Sequence, residues 1–229
     1  MNGGKPVTVR KAKIRRDLRR PRLFFFLGLA AVLLLATIFA DKLAPYDPYL
    51  QNYEISFQPP SAEHLMGTDR YGRDLFSRVL VGAQTSIFST LALVGIISVF
   101  GTVVGVSCGY FGGRLDSIAM RVSDVCLAFP GLVFALAVAA LLNGGIVNAV
   151  IALAVISWPK YARVARSQTL AQKDSPYIQA ALLAGGTPAQ VIVRHILPNI
   201  LGPVLVTAML DIGTMMIELA GLSLLKIGA

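Results

Sequence analysis

Residues Ile87–Phe111 read IFSTLALVGIISVFGTVVGVSCGYF and decide the fold class, because none of these side chains is charged. A helix needs about 20 mainly apolar residues to cross the hydrocarbon core of a bilayer. Frequent Gly and Ser residues, as in this run, are typical of membrane helices. The stretch therefore predicts a membrane-spanning helix.

Four more apolar runs predict an all-α, polytopic membrane helix bundle with five spans. The first run is interpreted as a retained span because no convincing signal-peptide cleavage site follows it and more spans come after. The four runs are 23–40, about 118–142 with a kink at Pro130, 146–157 with an amphipathic continuation beyond Pro159, and about 200–222.

The composition agrees with a membrane protein and excludes several other classes. Hydrophobic residues make up 55% of the 229 residues and charged residues only 14%, with a mean hydropathy of +0.67. Soluble domains carry about 25% charged residues. Disordered, collagen-like, coiled-coil and disulfide-stapled proteins are therefore excluded. Cys108 and Cys126 lie in apolar runs and are expected to act as small hydrophobic residues.

The positive charge is concentrated at the start of the chain. Residues 1–22 hold nine basic residues and one acidic residue, which is +8 of the net charge of +9. This tail argues against a nucleic-acid partner, since nucleic-acid binders spread positive charge over a folded face. Residues 41–83 hold four basic and six acidic residues, whereas 160–197 hold five basic residues and one acid. The positive-inside rule then places the N-terminus and 160–197 in the cytoplasm and 41–83 outside.

These boundaries predict four segments: a cytoplasmic tail, a first transmembrane helix, an extracytoplasmic loop and a transmembrane core. Their ranges are 1–22, 23–40, 41–84 and 85–229.

The cytoplasmic loop at about 173–197 is predicted to form two short helices. Ser175-Pro176 is an N-cap followed by a proline at the first helical position, and Gly185-Gly186 is expected to end the helix in a left-handed turn. Thr187, with Gln190 three residues later, predicts a capping box for the second helix. The pattern fits a docking element for another protein or an ordinary helical hairpin at the membrane surface.

Several motifs occur together in one order along the chain. They are His64-Leu-Met-Gly-Thr-Asp-Arg-Tyr-Gly-Arg-Asp74, Gly109-Tyr-Phe-Gly-Gly-Arg-Leu-Asp116 with Arg121, Asp124 and Phe129-Pro130, Trp158-Pro-Lys-Tyr-Ala-Arg-Val-Ala-Arg166, and Tyr177-Ile-Gln-Ala-Ala-Leu-Leu-Ala-Gly185 followed after nine residues by His195-Ile-Leu-Pro198. Over about residues 23–225 the sequence resembles the permease subunits of ABC importers, in the dipeptide, oligopeptide and nickel branch. The last motif is similar to the family's EAA loop.

The resemblance implies a type I importer permease fold in the inner membrane and several partners. They are a second homologous permease subunit, two cytoplasmic ATPase subunits and an extracytoplasmic substrate-binding protein. ATP and magnesium would bind to the ATPases, so no cofactor, metal or catalytic residue is expected in this chain. The implied ATPase-coupling residues are Gln179, Ala180, Ala181, Gly185, Leu197 and Pro198.

The family resemblance leaves the substrate open. The run Leu210-Asp-Ile-Gly-Thr-Met-Met216 is most similar to nickel and metal-chelate permeases, and a dipeptide or oligopeptide permease of the same branch is the alternative.

The chain departs from the family's pattern at two places. Gln179 stands where the EAA motif usually has glutamate. Family members also continue through a sixth span that is absent here, which suggests a shortened sequence.

Two carboxylates are predicted inside the fifth span. Asp211 and Glu218 lie seven residues apart, so they share a helix face, with Met215 between them. A carboxylate at membrane depth costs at least about 2.5–3.5 kcal/mol and usually faces a bundle interior or a pathway. We expect these three residues to line the translocation pathway. The alternatives are a structural ion pair with an arginine on a neighbouring helix or, for Glu218, a position near the outer membrane surface. At the third span, Arg121 and Asp124 are expected to form a local ion pair.

Other function classes have weaker signals. Gly105-Val-Ser-Cys-Gly109 matches the GxSxG pattern of hydrolases, but it lies in an apolar helix, where small-residue helix packing explains it better. A simple channel is compatible with the hydropathy, and no P-loop signature occurs. His64, Asp69 and Asp74 are a weak candidate metal site because their spacing is loose.

Overall fold

The computed structural model describes residues 19–142 and 145–224, and within these ranges the fold is helical. The α-helices, numbered α1 to α9 in chain order, are Arg19–Ile38, Ala40–Leu43, Leu75–Phe111, Gly113–Ala128, Gly131–Leu141, Ile146–Lys173, Pro176–Leu183, Pro188–Val191 and Leu197–Leu224. A 3₁₀ turn lies at Tyr53–Ile55, and a π-helical turn at Ile192–Ile196 joins α8 to α9. The predicted all-α fold class is confirmed, and most of the predicted basic tail lies outside the described residues.

Length and composition identify two helices that can cross a bilayer among the described residues. They are Leu75–Phe111 and the continuous helix Pro188–Ser223, and α4 with the start of α5 forms a third candidate despite a 91° bend. The apolar part of α1, Leu23–Ile38, is shorter. Helix α6 runs unbroken through Pro159 and is apolar mainly in its first half. The described helices thus give two or three candidate spans, and the count of five stays a prediction.

The chain forms two compact units, residues 1–81 and 82–229. In the first unit, two glycines shape the segment between α2 and α3. Gly67 and Gly72 have left-handed φ angles of +74° and +69°. A Cβ on Gly67 would lie 2.3 Å from the carbonyl oxygen of Gln58, and a Cβ on Gly72 would lie 1.6 Å from that of Asn52. Both positions require glycine, because the φ angle and the close backbone approach exclude a side chain.

Asp69 ties this segment together. Its Oδ1 accepts hydrogen bonds from the backbone N–H groups of Tyr71 and Arg73 at 2.8 and 3.0 Å, and its Oδ2 accepts from Arg73 Nε at 2.8 Å. The Arg78 guanidinium pairs with the same Oδ2. Burial raises the pKa of Asp69, but the hydrogen bonds from Arg73 and Tyr71 outweigh it and lower the pKa to about 2.

Asp74 caps the start of α3. Its Oδ2 accepts from the backbone N–H and the hydroxyl of Ser77, both at 2.7 Å, and its Oδ1 lies 3.0 Å from His64 Nδ1. Burial raises the pKa of Asp74, but the bonds from Ser77 and His64 lower it below its ordinary value. Both carboxylates of the weak candidate metal site thus make internal contacts, and the described residues contain no group of three or more potential metal ligands.

In the second unit, a seam of glycines lets α3 and α6 touch through their backbones. Gly101, Gly105 and Gly109 are spaced by four residues and share one face of α3. A Cβ on Gly105 would lie 2.2 Å from the carbonyl oxygen of Ala162, and a Cβ on Gly101 or Gly109 would lie 2.6 or 2.8 Å from the nearest atom of α6. Small-residue packing therefore accounts for the GxSxG pattern. The Ser107 hydroxyl donates to the carbonyl of Val103 in its own helix at 2.8 Å.

The main apolar core of the second unit lies between α3, α5, α6 and α9. Its buried side chains include Leu93 and Ile97 from α3, Ala135 from α5, Leu153 from α6 and Leu219 from α9. This core holds α9 against α6 and thereby brings Asp211 of α9 next to Lys160 of α6.

Candidate functional site

The predicted coupling loop folds as two helices joined by a tight glycine turn. Gly185 has a left-handed φ of +85°. The N–H of Gly186 donates to the Ala181 carbonyl and the N–H of Gly185 to the Leu182 carbonyl, both at 3.0 Å. These are the two hydrogen bonds of a Schellman motif, which satisfies the last carbonyls of α7. The expected left-handed turn is confirmed.

Helix α8 begins with the expected capping box. The Gln190 N–H donates to Thr187 Oγ1 at 3.4 Å, and the Thr187 N–H donates to Gln190 Oε1 at 3.0 Å. At α7, Ser175 occupies the N-cap position with extended backbone, but its hydroxyl makes no capping bond and is buried without a partner among the described residues. Pro176 explains the extended backbone, because a residue before proline disfavours helical angles.

A π-helical turn connects the coupling loop to α9. The Leu197 N–H donates to the Ile192 carbonyl, five residues earlier. Pro198 follows and has no N–H to continue the regular helical pattern. A π-turn of this kind often marks a functional segment inside a longer helix.

The inner side of the loop packs on α3 and α6. Ile178 of α7, Val191 of α8 and Ile196 of the π-turn are buried together with Val106 of α3 and Ala165 of α6. The loop is thus a folded part of the unit, because its two helices share a core with α3 and α6.

The predicted coupling residues divide between the inner and outer sides of the loop. Gln179, Ala180 and Gly185 are exposed, whereas Ala181 and Leu197 pack against the buried cluster. Leu183, which the sequence interpretation did not single out, is 90% exposed. An apolar side chain on the outer face of the loop is what a protein–protein contact needs, so exposure in the structure adds Leu183 to the candidates.

The carboxylate of Asp211 forms an ion pair with Lys160 of α6. Asp211 is 1% exposed, and Lys160 Nζ contacts its Oδ1. The hydroxyl of Tyr161 is buried next to this carboxylate and interacts with it through side-chain hydrogen bonding and charge, so Lys160 and Tyr161 both contribute to the surroundings of Asp211. The alternative of a structural ion pair is thus realised at Asp211, with a lysine as the partner.

Asp211, Met215 and Glu218 line one cavity of about 220 Å³, so the structure brings the three predicted pathway residues together. The remaining lining comes from the break between α4 and α5 and from α6. It consists of Cys126, Leu127, Phe129, Gly131, Ile156, Ser157, Lys160 and Thr214.

Two other basic residues of α6 pair with acids of α4. Arg166 binds Asp116 with two parallel bonds, Nε to Oδ1 at 2.5 Å and Nη2 to Oδ2 at 2.6 Å, and Arg163 Nη2 lies 2.5 Å from Asp124 Oδ1. The expected Arg121–Asp124 pair is wrong, because Arg163 of the neighbouring helix takes the Asp124 carboxylate. These pairs join α4 to α6.

Two family models match the chain. The model of the binding-protein-dependent transport system inner membrane component matches residues 101–229, and the model of the N-terminal TM domain of oligopeptide transport permease C matches residues 12–60.

Among curated relatives, the probable D,D-dipeptide transport system permease protein DdpC of Escherichia coli (strain K12) is 43% identical over 86% of this chain. A putative peptide transport system permease protein of Brucella suis is 37% identical over 99% of this chain, and the glutathione transport system permease protein GsiD of Escherichia coli O1:K1 is 41% identical over 93%. The chain spans 66%, 75% and 71% of the lengths of these three proteins, respectively.

Proposed function

Because the chain belongs to the family of binding-protein-dependent transport system inner membrane components, we propose that it is the permease subunit of an ATP-driven ABC importer of peptides. It forms half of the translocation pathway, and a second homologous permease subunit forms the other half. Two cytoplasmic ATPase subunits bind and hydrolyse ATP with magnesium. An extracytoplasmic binding protein delivers the substrate. The match to the family over residues 101–229 carries this proposal.

Peptides are the proposed substrate class rather than nickel or metal chelates. The relatives reported above are named for D,D-dipeptide, peptide and glutathione transport, and all three substrates carry peptide or peptide-like groups. The peptide alternative is therefore preferred over the nickel interpretation.

The loop of α7 and α8 is proposed to couple this chain to the ATPase. Its inner side packs on α3 and α6, so a displacement of the loop would also move these two helices. Its outer side offers Gln179, Ala180 and Leu183 for contact, and Gly185 permits the sharp turn. A rigid hairpin with an exposed apolar end can transmit closure of the ATPases to the bundle.

The proposed location is the inner membrane, with several membrane-spanning helices and a cytoplasmic N-terminus. In this orientation the segment between α2 and α3 lies outside and the coupling loop lies inside. The charge distribution of residues 1–22 supports this orientation.

Co-purification and uptake test the proposal together. An affinity-tagged chain expressed in its own host is extracted in a mild detergent, and its partners are identified by mass spectrometry. In parallel, cells with and without the gene are supplied with a labelled peptide. We expect an ATPase subunit and a second permease subunit in the purified complex, and uptake that stops when cellular ATP is depleted. Uptake that continues without ATP would identify a channel instead.

A further inference from the structure

A cavity of about 550 Å³ lies between the segment that joins α2 to α3 and the start of α3. Its lining includes three arginines, Arg70, Arg73 and Arg78, and one acid, Asp69. These four side chains together carry a charge of +2. The cavity therefore favours an anionic ligand.

Asp69 holds two of the three guanidinium groups in place. Arg73 Nε and Nη2 lie 2.8 and 2.7 Å from Asp69 Oδ2, and Arg78 Nη1 pairs with the same oxygen. One carboxylate neutralises only one of the two positive charges. A guanidinium group has five N–H donors, so Arg73 and Arg78 keep donors for a ligand in positions that Asp69 fixes.

Arg70 adds a positive charge that no carboxylate of the described residues neutralises, since it makes no ion pair within 19–142 and 145–224. Its guanidinium carbon lies 4.5 Å from the centroid of the Tyr71 ring, and that of Arg73 lies 4.6 Å from the same centroid. The two guanidinium groups are therefore within about 9 Å of each other, where like charges repel. An anion bound at the arginines reduces this repulsion.

The cavity lies at the end of α3 where the apolar part of this helix begins. Arg78 is the last charged residue before residues 79–111, which carry no charge. Helix α3 is long and apolar enough to cross a bilayer. This end of the helix then lies at the level of the lipid phosphates, where basic side chains next to a membrane helix bind anionic headgroups.

An exposed aromatic side chain lies beside the arginines. Phe57 lines the same cavity, is 75% exposed and has a left-handed φ of +56°, which is rare for a bulky residue. Its N–H donates to the Asp69 carbonyl at 3.2 Å, so the residue that positions two arginines also fixes the backbone at Phe57. Strained backbone of this kind is concentrated at functional sites. An apolar ring next to cations suits a lipid, whose acyl chains adjoin its phosphate, better than a free ion.

We propose that this cavity binds the headgroup of an anionic phospholipid. The guanidinium groups of Arg70, Arg73 and Arg78 donate to its phosphate oxygens, and Phe57 contacts the start of its acyl chains. This inference rests on the proposed membrane location of the chain, which places the lipid in the outer leaflet. The same charges would attract an acidic protein surface, but the exposed phenyl ring and the position at the start of the apolar run favour the lipid.

Photo-cross-linking locates such a lipid directly. The full chain in its complex is placed in vesicles of phosphatidylcholine that contain a small share of phosphatidylglycerol with a photoactivatable group next to the glycerol. After irradiation, mass spectrometry identifies the labelled peptides. We expect label within residues 57–78 that is displaced by unlabelled phosphatidylglycerol, but not by more phosphatidylcholine or by inorganic phosphate. Displacement by inorganic phosphate would identify a site for a free anion and overturn the lipid assignment.

Arg70→Gln tests the site without disturbing the Asp69 contacts, because Arg70 makes no ion pair with a described residue. It should reduce the labelling of residues 57–78 about fivefold, the effect of one basic residue at an anionic membrane surface. Arg70→Lys should restore part of the labelling. Lys42→Gln is the matched control, because it removes the same charge from the same compact unit but does not line the cavity. Equal losses in Arg70→Gln and Lys42→Gln would show a general attraction to the membrane and refute the site.

The ATPase in the same purified complex separates this inference from the proposed function. A complex that contains the ATPase but carries no label within residues 57–78 would refute the lipid site and leave the permease assignment standing. Absence of an ATPase from the wild-type complex would refute the permease assignment itself. Unchanged labelling of Arg70→Gln, together with weaker binding of an extracytoplasmic partner protein, would assign the arginines to that protein and overturn the proposal.

Discussion

The N–H of Gly186 donates a 3.0 Å hydrogen bond to the carbonyl of Ala181 and closes the turn between the two helices of the coupling loop. Gly185 lies within this turn at a φ of +85°. The bond fixes the angle at which α7 and α8 leave the turn, and with it the outer surface of the loop.

Replacing Gly185 should therefore damage coupling more than folding. A side chain in the left-handed region costs about 1–2 kcal/mol, so Gly185→Val is expected to open the turn. The amount of ATPase that co-purifies with the tagged chain measures the effect and should fall severalfold. Gly202→Val in α9 is the control, because Gly202 has no neighbour within 4 Å of a Cβ and lacks a left-handed φ. An equal loss in both variants would argue against a specific role of the turn.

The glycine seam predicts that replacing a glycine of α3 by alanine lowers stability inside the seam but not outside it. Gly105→Ala places a Cβ 2.2 Å from the Ala162 carbonyl oxygen, so α3 and α6 must separate. Overpacking of this kind costs about 1–3 kcal/mol. Gly95→Ala in α3 meets nothing within 4 Å and should leave stability unchanged or raise it slightly. Thermal unfolding of the purified variants in detergent checks both, and equal melting temperatures would refute close contact along the seam.

The two arginine–aspartate ion pairs between α6 and α4 should differ in how much stability is lost when the arginine is replaced by lysine. Arg166 makes two parallel bonds to Asp116, which lysine cannot reproduce, so Arg166→Lys is expected to lower stability by about 1 kcal/mol. Asp124, the partner of Arg163, is 67% exposed, so Arg163→Lys should have little effect. The same thermal unfolding measurement compares the two variants. A larger loss for Arg163→Lys would contradict the assigned geometry.

The hydrogen bonds accepted by Asp69 predict how the stability of the segment between α2 and α3 depends on pH. The pKa of Asp69 is lowered to about 2 in the folded protein, so its stabilising effect is fully present above the unfolded pKa near 4. It is lost as the pH falls through about 2. Hydrogen exchange of the Tyr71 and Arg73 amides, corrected for the intrinsic rate at each pH, should show constant protection from pH 7 to 5 and declining protection below pH 4. Asp69→Asn should remove this dependence, and protection that declines already near pH 6 would contradict it.

Local signals in the sequence predicted the local structure of the coupling loop well. The Thr187–Gln190 capping box and the left-handed turn at Gly185 depend on residues within a few positions of one another. The hydroxyl of Ser175 was the exception, because the fold buries it away from the N–H groups of α7.

Contacts between distant helices were not predictable in the same way. Asp124 pairs with Arg163, which lies 39 residues away and approaches only because α6 packs against α4. Periodicity placed Asp211 and Glu218 on one face, but it could not identify Lys160 as the partner of Asp211. The predicted amphipathic continuation of the fourth span beyond Pro159 is confirmed, because Lys160 lies inside the continuous helix α6.

We propose that the outer face of the coupling loop binds an ATPase, and two exposed leucines distinguish this face from the rest of the chain. Leu183 is 90% exposed on this loop, and Leu65 is 60% exposed in the segment proposed to lie on the other side of the membrane. The measurement is the ratio of ATPase to tagged chain after purification of Leu183→Glu and Leu65→Glu. We predict that the ratio falls at least tenfold for Leu183→Glu and is unchanged for Leu65→Glu. A full complement of ATPase on Leu183→Glu would show that the ATPase does not bind this face of the loop.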